Sequence, residues 1–300
     1  MTVAPHFHSR PPNRDQSRRF GIVLAITSVF LLIESIGGWL TGSLALLADA
    51  GHLLGDAGAQ TLALAALYLA GRPATSSKTY GYHRAEILAA LFNGLTLWLI
   101  AGLIWREAYL RVLHPPPVLS IGMTAVAAVG LGANLLSYYL LSPIGGQNLN
   151  TRAAMLHLIG DILGSVGALI AGLVIWSTGW MLADPLVSIL IGGLILFTSW
   201  GVVKESIDVL MEGTPKGVDP SEILSALGRV SGLEAVHDLH VWCLRSGMHA
   251  LTLHGVIDAD SDDAAILSDM TRVLADQFNI HHTTIQLVRQ PGLVQITTKK

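Results

Sequence analysis

Two five-residue stretches carry the chemistry of this chain. Residues 52–56 read His-Leu-Leu-Gly-Asp, and residues 157–161 read His-Leu-Ile-Gly-Asp. Each lies inside a long apolar segment. On a helix, positions i and i+4 share a face, so His52 pairs with Asp56 and His157 with Asp161. Two imidazoles and two carboxylates make four N/O ligands, the number a tetrahedral zinc site takes. An ionisable group at membrane depth costs about 2.5–3.5 kcal/mol on insertion scales. Four such groups facing lipid would be prohibitive; facing one another around a cation, they are compensated. The plainer alternative is a local His–Asp hydrogen bond that helps two helices pack. It accounts for one such pair but not for two matching ones.

The elements that must position these residues follow from composition. Of 300 residues, 51% are hydrophobic and 13% charged, against about 25% charged in a soluble domain. Residues 20–203 hold 6 of the 18 Lys+Arg and 7 of the 21 Asp+Glu; residues 204–300 hold 8 and 13. This predicts a polytopic α-helical membrane protein with a soluble C-terminal appendage. Six apolar helices are expected at 20–40, 44–70, 86–112, 118–141, 151–177 and 181–203. Each is long enough for a ~30 Å hydrocarbon core at about 1.5 Å per residue. Breaks are read at residues 41–43, 72–84, 114–117, 143–147 and 177–180. The domain reading is residues 1–19 as a disordered cytoplasmic tail, 20–205 as the membrane domain and 206–300 as a cytoplasmic domain. The tail holds His6 and His8, which suit only loose metal binding. No cleavable signal pattern is apparent.

The N-terminal arginines, Arg72, Lys78, Arg84, Arg152 and Lys204 fall on one side of the membrane, and Arg106 and Arg111 on the other. The positive-inside rule then places both termini in the cytoplasm and makes helices two and five antiparallel. Among the other buried charges, Asp49 is one turn before His52 and is read either as an outer partner orienting that histidine or as a helix–helix hydrogen bond. Asp184, just before Pro185, is read as a cap of its own helix. Glu34 is assigned a bundle-facing hydrogen bond, and Asn134 and Asn150 polar packing between helices.

After residue 204 the pattern changes. A helix is expected over 219–230, strands over 234–244 and 248–257, a helix over 262–278 and a strand over 283–288. The order αββαβ predicts a small α+β sandwich with both helices on one face of the sheet. Alternation puts Leu239, Val241, Cys243, Leu251, Leu253, Ile285 and Leu287 under the helices, with Cys243 an inert core thiol. Asp238, His240, Trp242, Thr252 and His254 lie on the opposite face. His237 falls on the core-side register at a strand start, and His281 and His282 precede the third strand. Six of the twelve histidines lie in this domain, which makes His237, His240, His254 and His282 a candidate second metal site. One cysteine excludes an intrachain disulfide, and neither a basic stripe nor a nucleic-acid motif is present.

These motifs resemble the cation diffusion facilitators. The likeness covers nearly the whole chain after about residue 15 and rests on Ser43-Leu44-Ala45-Leu46-Leu47-Ala48-Asp49-Ala50-Gly51-His52 through Asp56. It rests also on Tyr80-Gly81-Tyr82-His83-Arg84-Ala85-Glu86, on residues 150–157 with Asp161, on Val236-His237-Asp238-Leu239-His240-Val241-Trp242, and on His282-Thr283-Thr284-Ile285-Gln286. The pattern is similar to the zinc-transporting bacterial branch. The resemblance implies six transmembrane helices, a ferredoxin-like, metallochaperone-like cytoplasmic domain, a homodimer in the inner membrane, and exchange of cytoplasmic Zn²⁺ for protons. It matches His52, Asp56, His157 and Asp161 to a transport site, and His237 and His254 to two ligands of a cytoplasmic site. The chain departs from some members in two places. Val288 stands where those members have an acidic ligand, and the 71–84 loop offers only His83 toward a further metal set.

The ligand chemistry agrees with that expectation. A ligand histidine must be neutral and a carboxylate ionised, so metal and protons compete for the same groups. Two histidines with two carboxylates suit Zn²⁺, with Cd²⁺ and Co²⁺ as competitors; an all-oxygen octahedral site would favour Mn²⁺ or Mg²⁺. An enzyme is not expected, because an intramembrane metalloprotease would need His-Glu-x-x-His or an equivalent open zinc site. A metal-gated channel is the remaining alternative, and uphill flux separates it from a carrier.

Overall fold

The computed structural model describes residues 14–142, 149–245, 247–258 and 260–289. Six long helices come first: α1 (Arg14–Thr41), α2 (Leu44–Ala70), α3 (Ala85–Leu113), α4 (Ser120–Leu141), α5 (Leu149–Thr178) and α6 (Ala183–Leu210). Then follow α7 (Pro220–Leu227), β1 (Leu233–Arg245), β2 (Met248–Ile257), α8 (Asp263–Phe278) and β3 (His282–Arg289). Helices α1 to α6 are all long and apolar enough to cross a membrane. The shortest, α4, has 22 residues, about 33 Å of helix. Large apolar side chains point outward along them, with Phe197 82% and Trp39 76% exposed. Such a surface is stable against lipid rather than water.

The chain forms two compact units, one of residues up to Gln60 with Asn93–Trp200, the other of Thr61–Phe92 with Gly201 onward. The core of the first gathers Leu46, Leu97, Ala101, Met123, Ala168 and Ile195 from α2 to α6. Small residues let the helices approach. At Gly130 of α4 a Cβ would overlap the Phe30 ring of α1. Asn134 Nδ2 of α4 donates to Ser165 Oγ of α5 at 3.2 Å, the polar packing expected of that asparagine. The side chain of Asn150 lies outside the described residues.

Two boundaries differ most from expectation. Residues 14–19, expected within a disordered tail, are the first turns of α1; Arg and Gln are good helix formers, and Arg19 Nη1 donates to the Leu140 carbonyl at 2.9 Å. Residues 1–13, with His6 and His8, and the expected break at 143–147 lie outside the described residues. Helix α6 runs seven residues past 203 to Leu210. Its end is polar, with Lys204, Glu205 and Asp208, so hydropathy marks where the apolar span ends and not where the helix ends.

In the second unit, β1 pairs antiparallel with β2, and β2 pairs parallel with β3. Helix α8 makes the crossover that a parallel pair requires. Ile223 and Leu227 of α7 and Ile266, Met270 and Leu274 of α8, each spaced by four, pack on Val241, Leu251, Leu253 and Ile257. Both helices thus cover one face of the sheet, as the alternation predicts, and Cys243 is buried. The helix starts are capped. Asp219 accepts from the Ser221 amide at 2.8 Å, and hydrogen bonds from Ser221 hold its carboxyl below the usual range. Asp262 accepts from the Ala264 amide at 2.9 Å, and Asn279 closes α8 at φ 54°.

This core predicts measurable losses in a fragment of residues 206–300. Met270→Ala should lower its stability by about 2–5 kcal/mol, and Asp262→Ala by about 1 kcal/mol, both read from urea unfolding midpoints. An unchanged midpoint for Met270→Ala would show that the fragment does not keep this core.

Candidate functional site

Helices α2 and α5 bring the two His-x-x-x-Asp turns face to face. His157 Nε2 lies 3.1 Å from Asp56 Oδ2 and 3.8 Å from Asp161 Oδ2. His52 Nε2 lies 3.7 Å from Asp161 Oδ1 and 3.8 Å from Asp56 Oδ2. Each histidine therefore meets the carboxylate of its own helix and that of the other. One ligand atom each from His52, His157 and Asp161 fall within 4.8 Å of one another. A tetrahedron with bonds of about 2.0–2.1 Å has edges of about 3.3–3.4 Å. The four His–Asp separations bracket that edge, and His52, His157 and Asp161 form a group close enough to hold one ion, with Asp56 beside His157.

The surroundings sort the four ligands by access. Asp161 is 2% exposed, His52 14%, Asp56 24% and His157 44%. A cavity of about 400 Å³ reaches Asp56, His157 and Asp161. Its walls come from the middle of α1 (Thr27, Leu31), the middle of α2 (Leu53, Gln60), the end of α4 (Leu141) and α5 (Leu158).

Asp49 is not the orienting partner of His52. The Nδ1 atom of His52 is buried without a hydrogen-bond partner. Asp49 and Glu34 are both buried in the bundle. Asp49 Oδ1 packs instead against α5 at Gly164.

Asp184 also differs from expectation. It does not cap α6. It is fully buried and caps α2, accepting from the Leu44 amide at 2.7 Å, the Ala45 amide at 3.0 Å and Ser43 Oγ at 2.6 Å. Pro185 follows it in sequence, but its carboxyl faces the neighbouring helix start, whose free amides are the stronger donors nearby.

In the second unit, β1 carries an irregularity between His237 and His240. Asp238 sits there at φ 54°, a left-handed conformation that Asp tolerates better than most residues. The extra residue resets the alternation, as a bulge does. Val236 and Leu239 both pack on the core, and His237 is released to the outer face. This corrects the core-side register expected for His237. It now lies opposite His254, with ring centroids 5.4 Å apart. Asp238, which alternation alone did not single out as a ligand, joins them: its Oδ1 is 3.1 Å from His240 Nε2 and its Oδ2 4.0 Å from His254 Nε2. His282 does not join. It pairs with Ala250, while the neighbour of His254 on β3 is Gln286, and the His282 ring stands 5.6 Å from that of Tyr80. His281 Nε2 contacts Asn279 at 3.0 Å.

Known proteins share both units. The cation efflux transmembrane domain matches residues 21–211, and the cation efflux protein cytoplasmic domain residues 215–288. The metal cation efflux system protein CzcD of Cupriavidus metallidurans is 43% identical over 96% of this chain and 91% of its own. The zinc transporter ZitB of Escherichia coli is 42% identical over 95% of this chain and 92% of its own. The cadmium, cobalt and zinc/H(+)-K(+) antiporter of Bacillus subtilis is 44% identical over 86% of this chain and 84% of its own. With an apolar six-helix bundle, a His/Asp cluster inside it and these likenesses along nearly its full length, the chain belongs to the cation efflux, or cation diffusion facilitator, family of divalent metal transporters.

Proposed function

We propose that the protein exports Zn²⁺ from the cytoplasm in exchange for protons, with His52, Asp56, His157 and Asp161 as the transport site. The observation that carries this reading is the convergence of two His-x-x-x-Asp turns within the membrane bundle, with cross-helix His–Asp separations of 3.1 and 3.7 Å. The donor set of two imidazoles and two carboxylates favours Zn²⁺ over hard, six-coordinate ions and admits Cd²⁺ and Co²⁺. The E. coli relative is named a zinc transporter and the B. subtilis relative an antiporter of cadmium, cobalt and zinc. Both names agree with this substrate class.

The mechanism follows from the ligands. Neutral imidazoles and ionised carboxylates bind the cation; protons at the same atoms expel it. One set of side chains thus serves both substrates in turn, and exchange needs no separate proton path. On the positive-inside orientation α1 and α5 begin on the cytoplasmic side, and the metal enters past His157, the most exposed ligand. Release to the other side requires the bundle to close there and open at the opposite end.

In the second unit we place a regulatory zinc site at His237, Asp238, His240 and His254, on a sheet face away from the core. In a homodimer, a zinc ion there would favour whichever arrangement of the cytoplasmic domains holds its ligands together.

Three outcomes test these readings. In proteoliposomes, Asp56→Ala or Asp161→Ala should cut zinc transport by more than the roughly 10–100-fold that loss of an outer partner costs a metal site, with folded protein still in the membrane. Near-normal rates would remove that carboxylate from the site. Collapse of the pH gradient by a protonophore should stop uphill zinc movement; accumulation that ignores the protonophore would exclude antiport. Zinc at a hundredfold excess over Kd should stabilise the 206–300 fragment by about 2.7 kcal/mol, and the gain should vanish in His237→Ala/His254→Ala. A melting midpoint indifferent to zinc would end the regulatory reading.

A further inference from the structure

We infer that Asp184 is a positioning residue for the transport site: it holds the first turn of α2, and so His52 and Asp56, in register against α3 and α6. This rests on the transport-site reading above.

The first turn of α2 leaves four amides without helical partners. Here each is satisfied. Leu44 and Ala45 donate to the two oxygens of Asp184. Leu46 donates to Ser43 Oγ at 3.2 Å, and Ser43 Oγ in turn donates to Asp184. The fourth, that of Ser43, donates to Thr41 Oγ1 at 3.4 Å. Two of the four amides therefore depend directly on a side chain from α6, and a third through Ser43. A second arm comes from α3. Arg111 Nη1 lies 3.6 Å from Asp184 Oδ2 and donates to the Gly42 carbonyl at 2.5 Å, while its Nε donates to Glu107 Oε1 at 3.0 Å. One buried carboxylate thus joins the starts of α2 and α6 and the end of α3.

A local cap would be simpler, since Ser43 alone could satisfy one amide. Taking the cap from another helix adds something a local residue cannot: it fixes where α2 begins relative to its neighbours. His52 lies nine residues past Ser43, about 13 Å along the axis. A tilt of about 5° around that end moves the ligand roughly 1 Å, whereas a metal site holds its distances within about 0.2 Å. The clasp is therefore close enough, and stiff enough, to set the ligand geometry without touching the ion.

The test uses the full-length protein in liposomes and compares zinc and cadmium uptake by Asp184→Ala, Asp184→Asn and Asp184→Ala/Ser43→Asp, with Asp56→Ala as control. The double variant returns a carboxylate to the start of α2 but not the tie to α6. Asp184→Ala should raise the half-saturating zinc concentration about tenfold or more, as loss of an outer support does, and draw the zinc-to-cadmium rate ratio toward one. Asp184→Asn, which keeps the shape and one acceptor, should shift both in the same direction by less, and it carries the measurement if the alanine variant does not accumulate. Ser43→Asp in the alanine background should recover folded protein while half-saturation stays raised. Wild-type half-saturation and selectivity in all variants, with only less active protein, would make Asp184 a stability residue and overturn the inference; so would full rescue by Ser43→Asp. Normal transport by Asp56→Ala would overturn the site reading itself, and this inference with it.

Discussion

The bundle is organised by a mutual debt of charge. No one of His52, Asp56, His157 and Asp161 is at ease alone in an apolar helix, and each is offset by a partner across the helix pair, His157 3.1 Å from Asp56 and His52 3.7 Å from Asp161. That requirement forces α2 and α5 together at one height. It also explains why the small residues of the bundle matter: Gly164, one turn beyond Asp161, lets Asp49 pack against α5. Lipid supplies no hydrophobic drive for helix association, so close packing and interhelical hydrogen bonds such as Asn134 to Ser165 have to do it.

A site made of side chains from two helices is only as accurate as the placement of those helices. The α2 start shows how that is met with few polar groups. Its amides, which would otherwise be buried without acceptors, are turned outward to a carboxylate on α6, and the demand for hydrogen-bond partners becomes a fixed position. The second unit solves a related problem differently. There a single left-handed residue, Asp238, shifts the strand register so that His237 reaches His254, and the same aspartate contributes an oxygen beside both His240 and His254.

What the sequence made legible is what depends on local spacing. The i, i+4 ligand pairs, the six apolar spans, the αββαβ order and the buried faces of β2 and α8 all follow from a period of 2 or 3.6, and each is found. The features it hid are those in which one element answers another. Asp184 before Pro185 looks like a cap for the helix it begins, because nothing local says that α2 needs acceptors more. Strict alternation put His237 inward, because a bulge adds one residue without changing composition. His282 was grouped with the histidines by count, while strand pairing sets it beside Ala250, four residues along β2 from His254. The six helical residues before position 20 were missed for the converse reason: polar composition argues against a membrane span, not against a helix.

Charge balance gives the proposed exchange its physical basis. With neutral imidazoles, the two carboxylates leave the site with two negative charges in a medium where bare charge is costly. A divalent cation cancels them, and so do protons on the same four groups. The state with neither is the expensive one, and its cost rises when the bundle excludes water from the site. A conformational change that seals the site is therefore easiest when either metal or protons are bound and hardest when both are absent. In an alternating carrier that difference is what coupling consists of: the empty, charged site does not cross, so metal leaving one way must be replaced by protons before the site can return. The near-complete burial of Asp161 is where this cost concentrates, since of the four ligands it has least access to water when no cation is bound.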